Sequence, residues 1–412
     1  MASTINAKTT GTGGIEYTGD ASGNVAIQSD GTTVLNTTAS GVEVTGTLQN
    51  NNVQVATQNV LGVRNLIING DMRIAQRGTS ATGKTTSGYY TCDRWNHVFS
   101  TAGTWTFTQD TDVPSGQGFT NSLKMACTTA NASLSASSSF QLHHRFEGQN
   151  LQHLKKGTAN AESVTLSFWI KSNKTGTYQV NIQDRDNTRM ISSTYTIDSA
   201  DTWEKKILTF AGDTTGAFDN DNNDSIRMAW FLASGSNYNT GSVPTSWEAT
   251  DTTDIAAGLT VNLADSTSNY LNITGVQLEV GTEATPFEHR PYDMELARCQ
   301  RYYEHNYNIG QTPGSVSTYP SGMGAWLNGL GTHSGQKGFQ SDYKVTKRAT
   351  PSVTFYDTAG NSARVSTLNS GGTTTTNQSI AIVMSGTSSI LGVAGDGSHT
   401  GVHYFWVADS EL

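Results

Sequence analysis

One stretch of the sequence, Gly275–Glu304 (GVQLEVGTEATPFEHRPYDMELARCQRYYE), contains the residue types of a nucleophilic site: Cys299, His289 and Asp293. In such a site a thiolate attacks, a histidine acts as base and a carboxylate orients the histidine, and these residues come from separate elements that converge. Here Cys299 and Asp293 share one predicted helix, and His289 lies two residues before Pro291. The spacing therefore favours a joint between two domains over catalysis.

A second candidate for chemistry is the acidic run FDNDNND at 218–224. The alternate oxygen-bearing residues are Asp219, Asp221 and Asn223. Such oxygens suit calcium, but an EF-hand needs glycine and glutamate where this chain has Asp224 and Trp230. A calcium site and a polar loop between strands both stay open, and the sequence predicts no other cofactor.

Two adjacent histidines occur in QLHHRFEG, residues 141–148. On a strand, His143 and His144 point to opposite faces, so they do not readily share one metal. His143 and Glu147 are candidates for an acid–base pair, but a strand at the surface or at a subunit interface is the better interpretation.

Aromatic rings on loops are candidate sugar platforms, because a pyranose face packs on a ring while polar groups bind its hydroxyls. The predicted platforms in the loop-rich C-terminal part are Tyr307, Tyr319 and Trp326. Tyr238 and Trp247 in the middle of the chain are a second choice. Ordinary packing under long loops is the alternative for all five.

The composition limits the classes of function. Of 412 residues only 14% are charged, 42 are glycine, and the net charge of −9 argues against nucleic-acid binding and against attraction to an anionic membrane. The opening MASTINAKTTGTGG lacks the apolar stretch of a signal peptide, and no run is long enough to span a membrane. Three widely spaced cysteines predict reduced packing residues in a protein that folds in a cytosol.

Period-two alternation predicts an all-β fold. The clearest strand is ESVTLSFWIKS at 162–172, and WTFTQ at 105–109 is another; Leu259, Val261 and Leu263 alternate in the same way. The predicted domains are an N-terminal segment (1–60), a jelly-roll β-sandwich (61–292), a connecting helix (293–305) and a C-terminal β-sandwich (306–412). The last strand, with Val402, Tyr404 and Trp406, is expected inside its sheet.

The first 60 residues read as short alternating pieces, such as Val42-Glu43-Val44, that recur every eight or nine residues between turns. Each piece has too little apolar surface to bury a core within one chain, so identical chains wrapped about an axis would supply the rest. The segment therefore predicts a thin fibre and an oligomer, most simply an intertwined homotrimer. A disordered Gly/Ser/Thr arm is the alternative.

Several motifs resemble a family of phage tail-fibre and related virion proteins of the marine phage type. They are NLIINGDMRIAQRG (65–78), DRWNH (93–97), VTLSFWIKS (164–172) and the stretch at 275–304. The repeat that begins GGIEYTGDASGN is similar to the shafts of marine phage fibres, and the last hundred residues match more loosely. The resemblance implies a homotrimeric virion fibre with jelly-roll modules, assembled in the host cytoplasm.

The same resemblance implies the partners: phage tail or adaptor proteins for the N-terminal segment, and host-surface glycan or lipopolysaccharide for the distal C-terminal part. The family offers no catalytic signature to carry over. We therefore expect a non-enzymatic adhesin that binds no nucleic acid and does not insert into a membrane. An architectural component of a head fibre, tail or baseplate is the first alternative. A polysaccharide depolymerase is the second; it requires paired carboxylates, and fibre enzymes of that kind tend to carry a long β-helix for which this chain has no space.

Overall fold

The computed structural model describes residues 64–308, 310–316, 337–368, 374–394 and 401–412, the strand at 324–325, and five strands between 26 and 54. The chain divides into two compact units, Met1–Gly62 and Val63–Leu412.

The first unit contains five short strands in two small antiparallel sheets, β1-β2-β3 and β4-β5. Their bounds are β1 Ala26–Ser29, β2 Thr32–Thr38, β3 Gly41–Val44, β4 Gln49–Asn50 and β5 Val53–Gln54. The strands β1 to β3 fall on the alternating pieces of the sequence, and assembly of these strands into a fibre stays a prediction.

The second unit begins with two antiparallel sheets that face each other. The first strands are β6 Ser80–Lys84, β7 Gly88–Tyr89, β8 Asn96–Ser100, β9 Thr104–Asp110, β10 Ser122–Thr129, β11 Ser139–Glu147 and β12 Val164–Ser172. The remaining strands are β13 Gly176–Asp184, β14 Arg189–Ile197, β15 Glu204–Phe210, β16 Asp224–Ser234, β17 Glu248–Ala249 and β18 Tyr270–Val280. The six-stranded sheet has the order β15-β12-β18-β10-β9-β6, and the seven-stranded sheet has the order β17-β14-β13-β16-β11-β8-β7.

The inward faces of these two sheets form one hydrophobic core. In β12, Val164, Leu166, Phe168 and Ile170 are buried, as their alternation predicts. Trp105 and Phe107 of β9 are buried with them. The all-β, sandwich prediction for this region is confirmed.

A helix and a third sheet follow. Their bounds are α1 Tyr292–Gln300, β19 Tyr303–His305, β20 Gly324–Ala325, β21 Lys337–Asp342, β22 Ser352–Tyr356, β23 Arg364–Leu368, β24 Thr374–Ser385, β25 Ser389–Ala394 and β26 Gly401–Asp409. The sheet has the order β19-β26-β23-β24-β25-β21, and β20 and β22 also pair with β26. The last strand therefore lies inside its sheet as predicted, and it contributes Tyr404 and Trp406 to a second hydrophobic core.

Two predicted elements differ from the structure. The helix expected at 293–305 ends at Gln300, because Tyr303–His305 pairs with β26 and this tertiary pairing overrides helical propensity. The alternating run at Leu259–Leu263 is not a strand. Leu263 begins a short 3₁₀ turn, and the Asn262 side chain caps that turn by accepting a hydrogen bond from the Ala264 backbone N–H.

Candidate functional site

The stretch at 275–304, which we call the joint, runs from β18 through a linker and α1 to β19, and its charged residues make structural contacts. Arg290 is buried; it donates to Glu295 at 3.0 Å, to Glu288 at 3.1 Å and to the carbonyl oxygen of Ile67 at 3.0 Å. Glu295 in turn accepts from the backbone N–H of Asn69. These contacts hold the start of the first sandwich against the linker and the helix.

The end of α1 is tied to the seven-stranded sheet by a second buried group. Glu147, at the end of β11, accepts two hydrogen bonds from Arg301 at 2.6 and 2.8 Å and one from the Tyr302 hydroxyl. Hydrogen bonds from these two partners outweigh burial and lower the pKa of the Glu147 carboxyl. The pairing of His143 with Glu147 as acid and base is therefore not formed.

The final residues of the chain complete the joint. Arg94 is fully buried, pairs with Glu411, and lies with its guanidinium carbon 3.4 Å from the centroid of the Tyr302 ring. Arg77 reaches Asp409 at 3.2 Å and Glu411 at 3.3 Å. Both arginines thus belong to a matched network of charges between the two sandwiches.

The structure does not assemble the Cys299, His289 and Asp293 site. Cys299 is buried inside the joint, and burial raises the pKa of its thiol well above the ordinary range, which disfavours the thiolate. The His289 ring packs instead against Phe119 and Phe287, with centroid distances of 5.4 and 4.9 Å. All three cysteines are free and buried, as the sequence predicts.

Of the C-terminal aromatic candidates, Tyr307 is placed as a packing residue. Its side chain is 3% exposed, and its ring stacks on Phe405 with a centroid distance of 4.4 Å. A ring buried in this way has no free face for a sugar, which corrects the prediction for Tyr307. Tyr319 and Trp326 lie outside the described residues, so their role stays a prediction.

The second pair of aromatic candidates lies at the margin of the first sandwich. Tyr238 is half-buried and packs beside Ala229, Phe231 and Ala256. Trp247 is also half-buried, and its indole N–H donates to the carbonyl oxygen of Ala211 at 2.6 Å. Their role in sugar binding stays a prediction.

The acidic run at 218–224 makes contacts of its own. Both carboxylate oxygens of Asp221 accept hydrogen bonds from Asn223, and the backbone N–H of Asp219 donates to Asp186 at 3.0 Å. Asn222 exchanges hydrogen bonds with Arg348, which links this loop to the C-terminal sandwich. Among the described residues no group of three His, Cys, Asp or Glu side chains is placed to hold a metal ion. Calcium binding stays a prediction.

The outer face of the seven-stranded sheet carries a further set of polar residues. Alternate residues of β11 point to opposite sides of that sheet. Those that enter the core are Leu142, His144 and Phe146. Those that face outward are Gln141, His143 and Arg145. The predicted opposite orientation of the two adjacent histidines is thus confirmed, and β11 lies inside the sheet, between β16 and β8.

One part of this outer face is closed by the loop that follows β16. The side chain of Gln179 donates to the carbonyl oxygen of Asp254 at 3.0 Å and accepts from the backbone N–H of Gly258 at 2.7 Å. Asn181 donates to the carbonyl oxygen of Ile255 at 2.7 Å. The side chains of Gln179 and Asn181 in β13 therefore hold this loop against the sheet.

On the same outer face of the seven-stranded sheet, two arginines lie directly opposite each other. Arg145 of β11 is the register partner of Arg227 of β16, and their side chains are 19% and 18% exposed. Asp224 contacts both, at 3.0 Å from Arg227 and 3.8 Å from Arg145. We call Arg145, Arg227 and Asp224 the arginine row. Arg145 also donates to the Leu412 oxygen at 2.7 Å.

Burial and the neighbouring positive charges shift the pKa values of Arg227 and His143 in the same direction. Burial and then the charge of Arg145 lower the pKa of the Arg227 guanidinium, although Asp224 acts in the opposite direction. Burial and then the charges of Arg227, Arg145 and Arg185 hold the pKa of His143 well below its ordinary value. His143 is therefore neutral at pH 7, beneath a positively charged surface.

The sequence reasoning missed the arginine row. The spacing of Gln141, His143 and Arg145 does place them on one strand face, so the position of Arg145 could have been predicted from the sequence. The pairing with Arg227 was not, because it depends on the register between two strands that are distant in the chain.

Comparisons with known proteins add little to this description. No family model and no curated protein matches the chain. Among solved structures, the enzymatically active domain of tailspike protein 4 of bacteriophage CBA120 has a TM-score of 0.26 at 13% identity, over 53% of this chain and 21% of that one. The match thus spans about a fifth of the tailspike domain.

Two carbohydrate-binding modules are similar over their full length. A family 61 module in complex with β-1,4-galactotriose has a TM-score of 0.27 at 11% identity, over 53% of this chain and 100% of that one. A family 11 module of a Clostridium thermocellum cellulase has a TM-score of 0.24 at 14% identity, over 50% and 98%. Likenesses this distant assign neither a family nor a function. Within the described ranges, no helix has the length and apolarity that a membrane crossing needs.

Proposed function

We propose that this chain is the subunit of a bacteriophage virion fibre that recognises the host cell by binding a surface glycan, without catalysis. The observation that carries the binding role is the outer face of the seven-stranded sheet. There two arginines oppose each other in register and share one carboxylate. Like charges directly opposite on a sheet are destabilising, and real proteins tend to break such local rules at functional sites.

The resemblance of the motifs to phage fibres supports the virion part of the proposal. The stretch at 275–304, which carries most of that resemblance, is tied to the first sandwich through the Arg301–Glu147 ion pair and is held internally by the Arg290–Glu295 ion pair. Such fixed contacts suit a fibre that must hold its binding face at a fixed position.

We extend the proposal to assembly. Three copies associate through the N-terminal segment, and that segment attaches to tail or adaptor proteins of the virion. Presentation of several weak glycan sites on one particle raises the overall affinity far above that of a single site.

The experiment that tests this function uses purified full-length protein carrying a fluorescent label, and cells of the bacterial host. We expect saturable binding to the cells, and slower adsorption of the phage when unlabelled protein is present. No binding by a folded oligomer would favour the architectural role, in which the same surfaces contact other virion proteins. For that architectural role, the expected positive result is that the protein captures other virion proteins in a pull-down.

A depolymerase is the second candidate, and one observation favours it. Glu248 and Asp254 lie close together in the loop region beside the seven-stranded sheet. Partial burial, and then the charge of Asp254, raise the pKa of Glu248. A carboxyl group with a raised pKa beside a second carboxylate is the arrangement of a glycosidase acid. Release of reducing sugar from host polysaccharide, abolished by Glu248→Gln, would establish this activity; none is expected.

A further inference from the structure

The arginine row differs from the other arginine sites in how its charge is balanced. Arg145 and Arg227 share Asp224, and Arg185 is exposed nearby at the end of β13. Arg145 also donates to the Leu412 oxygen at 2.7 Å, whereas Asp224 is the one carboxylate in the described residues that pairs with Arg227. The row thus has two arginines on one side-chain carboxylate, in a chain whose formal net charge is −9.

The hydrogen-bonding groups of the row are also incompletely used. The Nε atoms of Arg145 and Arg227 are buried and have no hydrogen-bond partner in the structure, and the same holds for Oδ1 of Asp224. Below them His143 is 3% exposed, and its Nδ1 lacks a partner while Nε2 contacts Gln141 at 2.7 Å. The Nε atoms of Arg94 and Arg290 at the joint lack a partner too, so the row is distinguished by its register opposition, its shared carboxylate and its partial exposure.

We propose that the arginine row binds an anionic group on the glycan, so that the receptor is an acidic polysaccharide bearing carboxylate, sulfate or phosphate. The inference rests on the proposed function and names its substrate class. A guanidinium presents its N–H donors in a planar fork that matches two oxygens of such a group. Two forks side by side, supplied by Arg145 and Arg227, can bind one anion from both sides.

Asp224 has a defined part in this arrangement. It contacts Arg227 through Oδ2 and leaves Oδ1 without a partner. Oδ2 therefore orients the Arg227 fork for a bound anion.

The test compares polymers that differ in charge alone. The full-length protein is titrated with polygalacturonate and with its fully methyl-esterified form, with dextran sulfate and dextran, and with phosphomannan before and after phosphatase treatment. We expect binding to at least one anionic polymer, at least roughly tenfold tighter than to its neutral counterpart, since a charge-assisted hydrogen bond contributes about that factor. The pair that discriminates identifies the anionic group as carboxylate, sulfate or phosphate.

Two variants decide whether the arginine row is responsible. Arg227→Gln is expected to lower the affinity for the preferred anionic polymer roughly tenfold. Arg364→Gln is the matched control: it removes the same charge from β23 of the C-terminal sandwich, where Arg364 contacts Asn377 at 2.9 Å. This control is expected to bind like the wild type, which excludes a general loss of charge as the cause.

The same variants, applied to host cells, separate this inference from the proposed function. If wild-type protein binds the cells and Arg227→Gln binds them equally, or if neutral and anionic polymers bind equally, the acidic-glycan inference is overturned and the fibre function stands. If wild-type protein discriminates the polymers but does not bind the cells, the anion site stands and the proposed function fails. Circular dichroism of both variants at equal concentration controls for folding.

Discussion

Two groups of arginines in this protein have opposite surroundings. At the joint, Arg94 and Arg290 are buried; Arg94 pairs with Glu411, and Arg290 pairs with Glu288 and Glu295. On the outer face, Arg145 and Arg227 face each other and share one carboxylate. A buried charge is tolerable when it is paired and hydrogen-bonded, so the first group is explained by the fold alone. The second group is not.

The difference indicates how to divide the charged residues of this chain between structure and recognition. Charges matched by a buried partner connect the first sandwich, the helix and the C-terminal sheet. Charges left in excess on the surface are free to meet a ligand. Changes at the joint should therefore alter stability, whereas changes in the arginine row should alter binding and leave stability nearly unchanged.

The largest expected effect on stability comes from breaking a matched pair at the joint. Glu304 and Lys347 form an ion pair in which both side chains are fully buried. Glu304→Gln leaves the ammonium of Lys347 without its counter-charge and should lower the free energy of unfolding by about 3–5 kcal/mol. Denaturant unfolding, followed by tryptophan fluorescence, measures this change.

The matched control for that variant replaces both partners. The double variant Glu304→Leu with Lys347→Met should recover most of the loss, because it removes both buried charges together. A single variant as stable as the wild type would show that the joint does not depend on matched charges.

A smaller effect is expected from pH. His97 is fully buried, its ring centroid is 3.8 Å from that of Phe107, and burial lowers its pKa to about 3. Below the unfolded value near 6.5 the unfolded state takes up a proton that the folded state does not, so stability falls as the pH falls from about 6.5 toward 3. His97 alone should contribute a loss of about 2 kcal/mol between pH 7 and pH 5.

His97→Gln tests this assignment. Asp93 acts in the opposite sense, because burial raises the pKa of its carboxyl to about 6 and the folded state then binds its proton first. Asp93 is present in both proteins, so its contribution to the pH dependence cancels when the wild type is compared with the variant. The difference in unfolding free energy between pH 7 and pH 5 should be smaller in the variant, and an identical difference would contradict the role given to His97.

The smallest effect on stability is expected in the arginine row. Arg227→Gln removes one of two opposed charges at a partly exposed position, so the free energy of unfolding should change by no more than about 0.5 kcal/mol. A loss as large as that of Glu304→Gln would place Arg227 among the structural arginines and remove the contrast between the two groups.

The features that could be predicted from the sequence are those with local causes. The alternation of Val164, Leu166, Phe168 and Ile170 fixes a strand and its buried face, because side chains alternate along any strand. The position of Cys299 and Asp293 on one helix could likewise be predicted from their spacing. These inferences require no knowledge of which strands become neighbours.

The features that were missed depend on distant pairing. Tyr303–His305 forms a strand because β26, a hundred residues later, accepts it. Tyr307 is buried because Phe405 of that same strand stacks on it. The arginine row exists because the register of β11 against β16 puts Arg145 opposite Arg227. Local propensity and composition contain none of this information.

Thermal unfolding of wild-type protein and Arg227→Gln, each with and without the anionic polymer that the titration selects, tests the central claim most directly. Without polymer the two proteins should unfold within about 2 °C of each other. With saturating polymer the wild type alone should unfold at a clearly higher temperature, because a ligand that binds the folded state stabilises it. Equal shifts in both proteins, or a variant that unfolds much earlier without polymer, would contradict the division between structural and recognition arginines.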